Sequence, residues 1–259
     1  MCMSFLFDDI MFGPVKSRRF GVSLGINVIP ERKKICTFNC IYCECGWTQA
    51  PVIEPEAFHK REDIAVALEK RLLELQQSSN PPDAITFAGN GEPTLHPEFA
   101  GIIEDTLALR NQYFPDSDVV VLSNSSMLDD PKVFQALQKV RNIMKLDAGS
   151  EETFRKINGC MVPLSLDKVV ENLIRFKGEL TIQTLFLKAR INGFEVDNTS
   201  EEEVALWIGH LKRINPEMVM MYPIDRPAPG KDISKVSPEV LASIGKRVEK
   251  EGFKVSIYA

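Results

Sequence analysis

Segments of helical periodicity alternate with short apolar segments of strand character from about residue 61 to the end of the chain, and this alternation limits the possible folds more than any other feature. Arg61–Gln77 places Ile64, Val66, Leu68, Leu72 and Leu75 at helical spacing, and Asp83–Ala88 is an apolar strand ending in the turn Gly89-Asn90-Gly91. The pattern repeats as helix Pro97–Asn111 and strand Asp118–Ser123, then helix Pro131–Val140 and strand Asn142–Asp147. Two helices, Glu151–Ile157 and Ser165–Lys177, precede the strand Leu180–Lys188. Ser200–Ile214 reads as a helix capped by Ser200 with Glu203 at the third position, followed by strand Met218–Tyr222. Pro238–Glu251 and Phe253–Tyr258 form the last pair. With a first strand at Phe20–Val28 there are about seven β/α alternations, which predicts an α/β fold. We expect a full or partial (β/α) barrel of about six to seven mostly parallel strands, with its working groups at the C-terminal strand ends. No linker, repeat or low-complexity tract interrupts it, so residues 1–259 read as one domain.

The composition agrees with a packed globular chain, since 44% of residues are hydrophobic and 26% charged. Apolar runs such as Met218–Tyr222 are far shorter than the roughly 20 residues of a bilayer helix, and the N-terminus carries Asp8 and Asp9 where a signal peptide would be basic. The expectation is a cytoplasmic protein without a membrane partner. Six cysteines are too few for a disulfide scaffold of this length, which points to a reducing compartment and a metal or cluster. A net charge of −5 argues against a broad nucleic-acid surface. Locally, residues 1–34 hold Lys16, Arg18, Arg19, Arg32, Lys33 and Lys34 against Asp8, Asp9 and Glu31, which keeps nucleic acid open as a partner without favouring it.

Three of the cysteines fall within eight positions, in Cys36-Thr-Phe-Asn-Cys40-Ile-Tyr-Cys43. Soft thiolates converging from one loop suit an iron–sulfur cubane, and three of them leave one iron open. Zinc is the alternative, but it wants a fourth ligand, and His59, His96 and His210 are not paired with this loop. Incidental burial of structural cysteines is the remaining alternative. Cys45, Cys160 and Cys2 form no second compact motif, and Cys45 and Cys160 read as partly buried free thiols.

CxxxCxxC with an aromatic residue, Tyr42, before the last cysteine resembles the signature of the radical S-adenosylmethionine (SAM) superfamily. The stretches Phe12–Asn27 and Tyr222–Pro229 resemble a narrower group within it, the Fe-S oxidoreductases related to wyosine-forming enzymes. The resemblance implies a [4Fe-4S] cluster on Cys36, Cys40 and Cys43, with SAM bound at the open iron and cleaved reductively to a 5′-deoxyadenosyl radical. It implies a one-electron donor such as flavodoxin or ferredoxin, and a substrate that the sequence does not identify. Gly89-Asn90-Gly91-Glu92 resembles the superfamily's GGE motif, which holds the SAM amino group. Ser123, Asn124 and Asp147 match its polar strand-end positions, and Gln183, Lys188 and Asn192 fall on or just beyond the next strand. These six also read as ordinary polar caps of strand ends.

Arg18, Arg19, Asp225 and Arg226 are candidates for substrate contact, through a guanidinium fork on a carboxylate or phosphate. They equally suit a structural ion pair or solvent exposure. Beside the radical enzyme stand three other functions: a wyosine-pathway-like tRNA modification, activation of a glycyl-radical partner, and a non-enzymatic Fe-S electron carrier. A carrier would want four protein ligands and no glycine turn beside the cluster.

Overall fold

A computed structural model describes residues 5–48, 58–191, 193–225, 230 and 232–259. Strand β1 (Met11–Ser17) and strand β2 (Gly21–Ile26) form an antiparallel hairpin. Helix α1 (Arg61–Gln77) follows the long loop after β2, and β3 (Ala84–Phe87), α2 (Phe99–Tyr113), β4 (Asp118–Ser123), α3 (Pro131–Leu137) and β5 (Arg141–Lys145) then alternate. Next come α4 (Glu151–Asn158), α5 (Leu166–Ile174), β6 (Thr181–Ile191), β7 (Phe194–Asp197), α6 (Glu201–Ile214) and β8 (Met218–Pro223). Strand β9 (Ile233–Lys235), α7 (Pro238–Lys250) and β10 (Val255–Ile257) complete the order. The strands lie as β1-β2-β3-β4-β5-β6-β8-β10, parallel from β2 onward, and among the described residues the sheet does not close. The α/β architecture with a mostly parallel sheet is the expected one.

The two faces of the sheet follow the period of two along each strand. Val119, Val121, Met144, Ile182, Val219 and Met221 pack outward against the helices. Ala84, Val120, Ile143 and Met220 meet Phe20 on the other face, so strands from both halves of the sheet share one inner cluster. That shared cluster is what curls the sheet into a partial barrel. Helix starts are set by side-chain caps at Asp130, Ser150, Ser165, Ser200 and Ser237, each accepting a backbone N–H of the first turn.

Several details depart from the sequence reading. The hairpin strand β1 was not expected, because Gly13 and Pro14 break its pattern and its pairing with β2 shifts register between Phe12 and Val15. Strand β6 runs past Lys188 to Ile191 and pairs antiparallel with the unanticipated β7 and β9. Val66 sits at helical spacing but is 67% exposed, so α1 buries only Ile64, Leu68, Leu72 and Leu75. Ser200 caps α6 as expected, whereas the Glu203 carboxylate leaves its own helix and accepts the Gly149 and Ser150 N–H groups at 2.9 and 3.2 Å.

Candidate cluster and cofactor site

The loop after β2 runs across the C-terminal ends of the parallel strands and is fixed there by backbone pairing. Ile35 N–H donates to the Asn90 carbonyl at 3.1 Å, and Glu92 N–H donates to the Ile35 carbonyl at 3.0 Å. Only glycine allows this approach, since a Cβ on Gly91 would stand 1.8 Å from the Ile35 oxygen. On its other side the loop pairs with the end of α4: Asn39 N–H reaches the Asn158 carbonyl at 2.9 Å, and Ile41 N–H the Ile157 carbonyl at 3.0 Å. Cys36 and Cys43 are half-buried and Cys40 is buried, all with free thiols.

Each of these sulfurs has its own donors. Cys36 Sγ accepts from Asn124 Nδ2 at 3.5 Å and from the Phe38 N–H at 3.4 Å. Cys40 Sγ accepts from Asn158 Nδ2 at 3.5 Å. Cys43 is held below the ordinary thiol range by the Cys45 thiol, against its burial, and with further help from the Lys34 ammonium. Burial drives Cys36 the other way, up to about 12, with Glu92 and Cys40 adding to it. Donors aimed at sulfur stabilise thiolates and suit ligation of a soft centre. Three thiols, with no histidine ring bonded to them among the described residues, suit a soft iron–sulfur centre better than a zinc tetrahedron. Two of the histidine rings are engaged elsewhere, His96 on the His59 carbonyl and His210 on the Gly149 carbonyl.

The glycine turn carries Glu92, which is 2% exposed. Its carboxylate accepts from Thr94 N–H, the Thr94 and Ser123 hydroxyls and the Asn124 N–H, at 3.2, 2.6, 2.9 and 2.6 Å. Burial pushes the Glu92 carboxyl up, and these donors oppose the push. Ser123 and Asn124 thus orient Glu92, and the Asn124 side chain spans from Thr37 to Cys36. Asn90 turns away from the cysteines, bonding the Phe7 and Pro30 backbone. The Cys45 sulfur lies 3.3 Å from the Gly89 carbonyl oxygen, which brings the turn against the cysteine loop.

Beneath the loop lies a buried charge network. Tyr42 donates to Asp147 and accepts from Lys145, and Asn158 Nδ2 donates to the same Asp147 oxygen at 2.8 Å. The second Asp147 oxygen accepts the Leu185 N–H at 2.9 Å. Burial works against the Lys145 ammonium, but Asp147 and the surrounding Tyr222 and cysteines more than offset it, so it stays protonated. Burial beside Asp147 holds the Tyr42 phenol well above its usual range. Gln183 lies lower in the barrel and accepts from Arg19 at 3.0 Å, with the Arg19 guanidinium 5.3 Å from the Tyr222 ring centre. Arg18 pairs with Asp225 at 2.9 Å on the surface, and Lys188 is exposed and pairs with Asp197 at 2.9 Å. Asn192, Arg226 and Cys2 lie outside the described residues. Cys160 is half-buried and bonds the Val162 carbonyl.

Sequence reasoning missed Lys34, Lys145 and Asn158. Lys145 was within reach, because the period of two puts it on the same strand face as Asp147. Asn158 ends helix α4 with no local signal, and a buried lysine at position 34 reads in sequence as part of a polar loop.

The open, mostly parallel α/β barrel thus gathers three thiols, a glycine turn and a buried carboxylate at its C-terminal strand ends. The chain belongs to the radical SAM superfamily, whose sequence model matches residues 32–208. It is a radical SAM enzyme, of a superfamily that uses a [4Fe-4S] cluster and SAM. It is 35% identical over 227 residues to a UPF0026 protein of Helicobacter pylori, covering 85% of this chain and 67% of that one. In fold it is similar to a radical SAM methyltransferase from Sphaerobacter thermophilus, with a TM-score of 0.64, 13% identity, and 91% of this chain and 65% of that one covered. It is also similar to an archaeal TYW1, with a TM-score of 0.53, 12% identity, and 88% and 71% covered. The chain thus spans about two thirds of the length of the first two of these proteins. No helix among the described residues is long and apolar enough to cross a membrane.

Proposed function

We propose that Cys36, Cys40 and Cys43 hold the cluster and that the turn Gly89–Glu92 receives the amino group of SAM beside it, for radical modification of a substrate still to be identified. The cluster, when bound, supplies the single electron that cleaves SAM and releases a 5′-deoxyadenosyl radical. The observation that carries the reading is the backbone pairing of the cysteine loop with the glycine turn through Ile35, Asn90 and Glu92, which sets three thiols and one buried carboxylate at the same strand ends. Ser123 and Asn124 orient that carboxylate, and Asn124 and Asn158 orient two of the thiols. Tyr42, Asp147 and Lys145, joined by hydrogen bonds, close the floor below the loop. The polar groups at Gln183, Tyr222 and Arg19 deeper in the barrel are the first candidates for substrate contact. A one-electron donor such as flavodoxin or ferredoxin completes the cycle.

Anaerobic reconstitution followed by SAM and dithionite tests the reading: about four irons per chain and release of 5′-deoxyadenosine are expected. Replacing Cys36, Cys40 and Cys43 together by Ala should remove both. A full cubane in that triple variant would exclude the ligand assignment, and a cluster that releases no 5′-deoxyadenosine in the parent protein would favour an electron carrier.

A further inference from the structure

Lys34 is buried, 8% exposed, two residues before the first cysteine. Its ammonium donates to the Gly46 carbonyl at 2.7 Å, in the turn where the Gly46 N–H donates to the Cys43 carbonyl at 3.0 Å, and its charge helps to hold the Cys43 thiol down. Among the described residues it forms no ion pair with a carboxylate. A buried lysine without a carboxylate is expensive unless another negative charge takes that place. With the cluster bound, the ligand sulfurs are deprotonated and supply that negative charge. Asn124 and Asn158 add one amide donor each to Cys36 and Cys40, so two of the three proposed ligands receive side-chain donors from separate parts of the fold, and Lys34 sits beside the third.

We propose that Lys34, Asn124 and Asn158 form the counter-charge of the cluster and hold its reduction potential up, with the Lys34 ammonium contributing most. The inference rests on the ligand assignment made above. Accepting one electron from an external donor adds one negative charge to the cluster without making or breaking a bond. A fixed cation and N–H dipoles aimed at the ligand sulfurs therefore stabilise the reduced state more than the oxidised one. A full charge in a buried site outweighs an amide dipole, which sets the order of the effects. None of the three is a catalytic residue, since each acts through a cysteine sulfur.

The test is the midpoint potential of the reconstituted cluster, followed by electron paramagnetic resonance during a dithionite titration without SAM. Lys34→Met should keep its iron and lower the midpoint by about 59 mV, a tenfold shift of the one-electron equilibrium. Lys34→Arg, which keeps the charge, should return it close to the parent value. Asn158→Ala should lower it by less, and this variant carries the test if Lys34→Met does not assemble a cluster. An iron-replete Lys34→Met with an unchanged or raised midpoint overturns the inference, as does an unchanged midpoint in Asn158→Ala where that variant carries it. Iron content separates this outcome from failure of the ligand assignment, because only the latter leaves the parent protein without a cubane.

Discussion

Gly91 sits where no side chain fits. Its φ of +152° is in the region that favours glycine, and an added Cβ would meet the Ile35 carbonyl that holds the cysteine loop. Gly91→Ala should therefore cost about 3 kcal/mol or more in urea unfolding and impair cluster assembly. Gly209, inside α6 with open space around it, is the opposite case, and Gly209→Ala should add about 0.5–1 kcal/mol with iron content unchanged. Glu92 combines two jobs, since protein donors already fill much of its carboxylate. Glu92→Gln keeps the shape and removes the charge. If the turn holds the SAM ammonium, the loss of about 1.5–3 kcal/mol lowers SAM affinity roughly tenfold to hundredfold. Titration of the reduced cluster with SAM, read by electron paramagnetic resonance, measures it; an unchanged affinity with the cluster intact removes the SAM assignment for Glu92.

The segment from α1 to α2 depends on a neutral histidine. His96 Nε2 lies 2.7 Å from the His59 carbonyl oxygen, and Nδ1 lies 3.0 Å from the Glu98 nitrogen, whose N–H it accepts. The neutral ring with its hydrogen on Nε2 satisfies both contacts, whereas a proton on Nδ1 would face the Glu98 N–H. Burial holds the His96 pKa below its ordinary value, so its contribution is present above about pH 6.5 and is lost as pH falls through the folded value. Urea midpoints should fall on acidification below about pH 6.5, and His96→Gln should flatten that part of the profile. An equally steep profile in His96→Gln would assign the acid sensitivity elsewhere. Elements such as α1, β4 and β8 were legible because their apolar periodicity is uninterrupted. β1, β7 and β9 were not, because edge strands bury too little to leave a pattern. The cysteine loop was legible from spacing alone, while its donors Lys34 and Asn158 come from burial and long-range packing that no local window contains.

An open sheet leaves two edges, and here the first hairpin reaches toward the second. Arg18 and Arg19, in the turn between β1 and β2, meet Asp225 after β8, Gln183 on β6 and the Tyr222 ring on β8. These contacts tie the start of the strand order to its far end, and Phe20 fills the interior directly beside them. The two arginines do not contribute equally. Arg18 and Asp225 are each about half exposed, so solvent screening leaves their pair worth less than about 1 kcal/mol. Arg19 is half-buried, lies 5.4 Å from the Phe20 ring centre and 5.3 Å from that of Tyr222, and donates to a buried amide oxygen. Its hydrogen bond and ring contacts together are worth about 1–2 kcal/mol. Urea unfolding of Arg19→Ala should show that loss at any salt concentration, while Arg18→Ala should show a smaller one that vanishes at about 1 M salt, where the Debye length is about 3 Å. Equal and salt-sensitive losses in the two variants would mean that the turn is held by surface charge alone. A loss confined to Arg19 identifies the inward guanidinium as the bolt across the open side of the barrel.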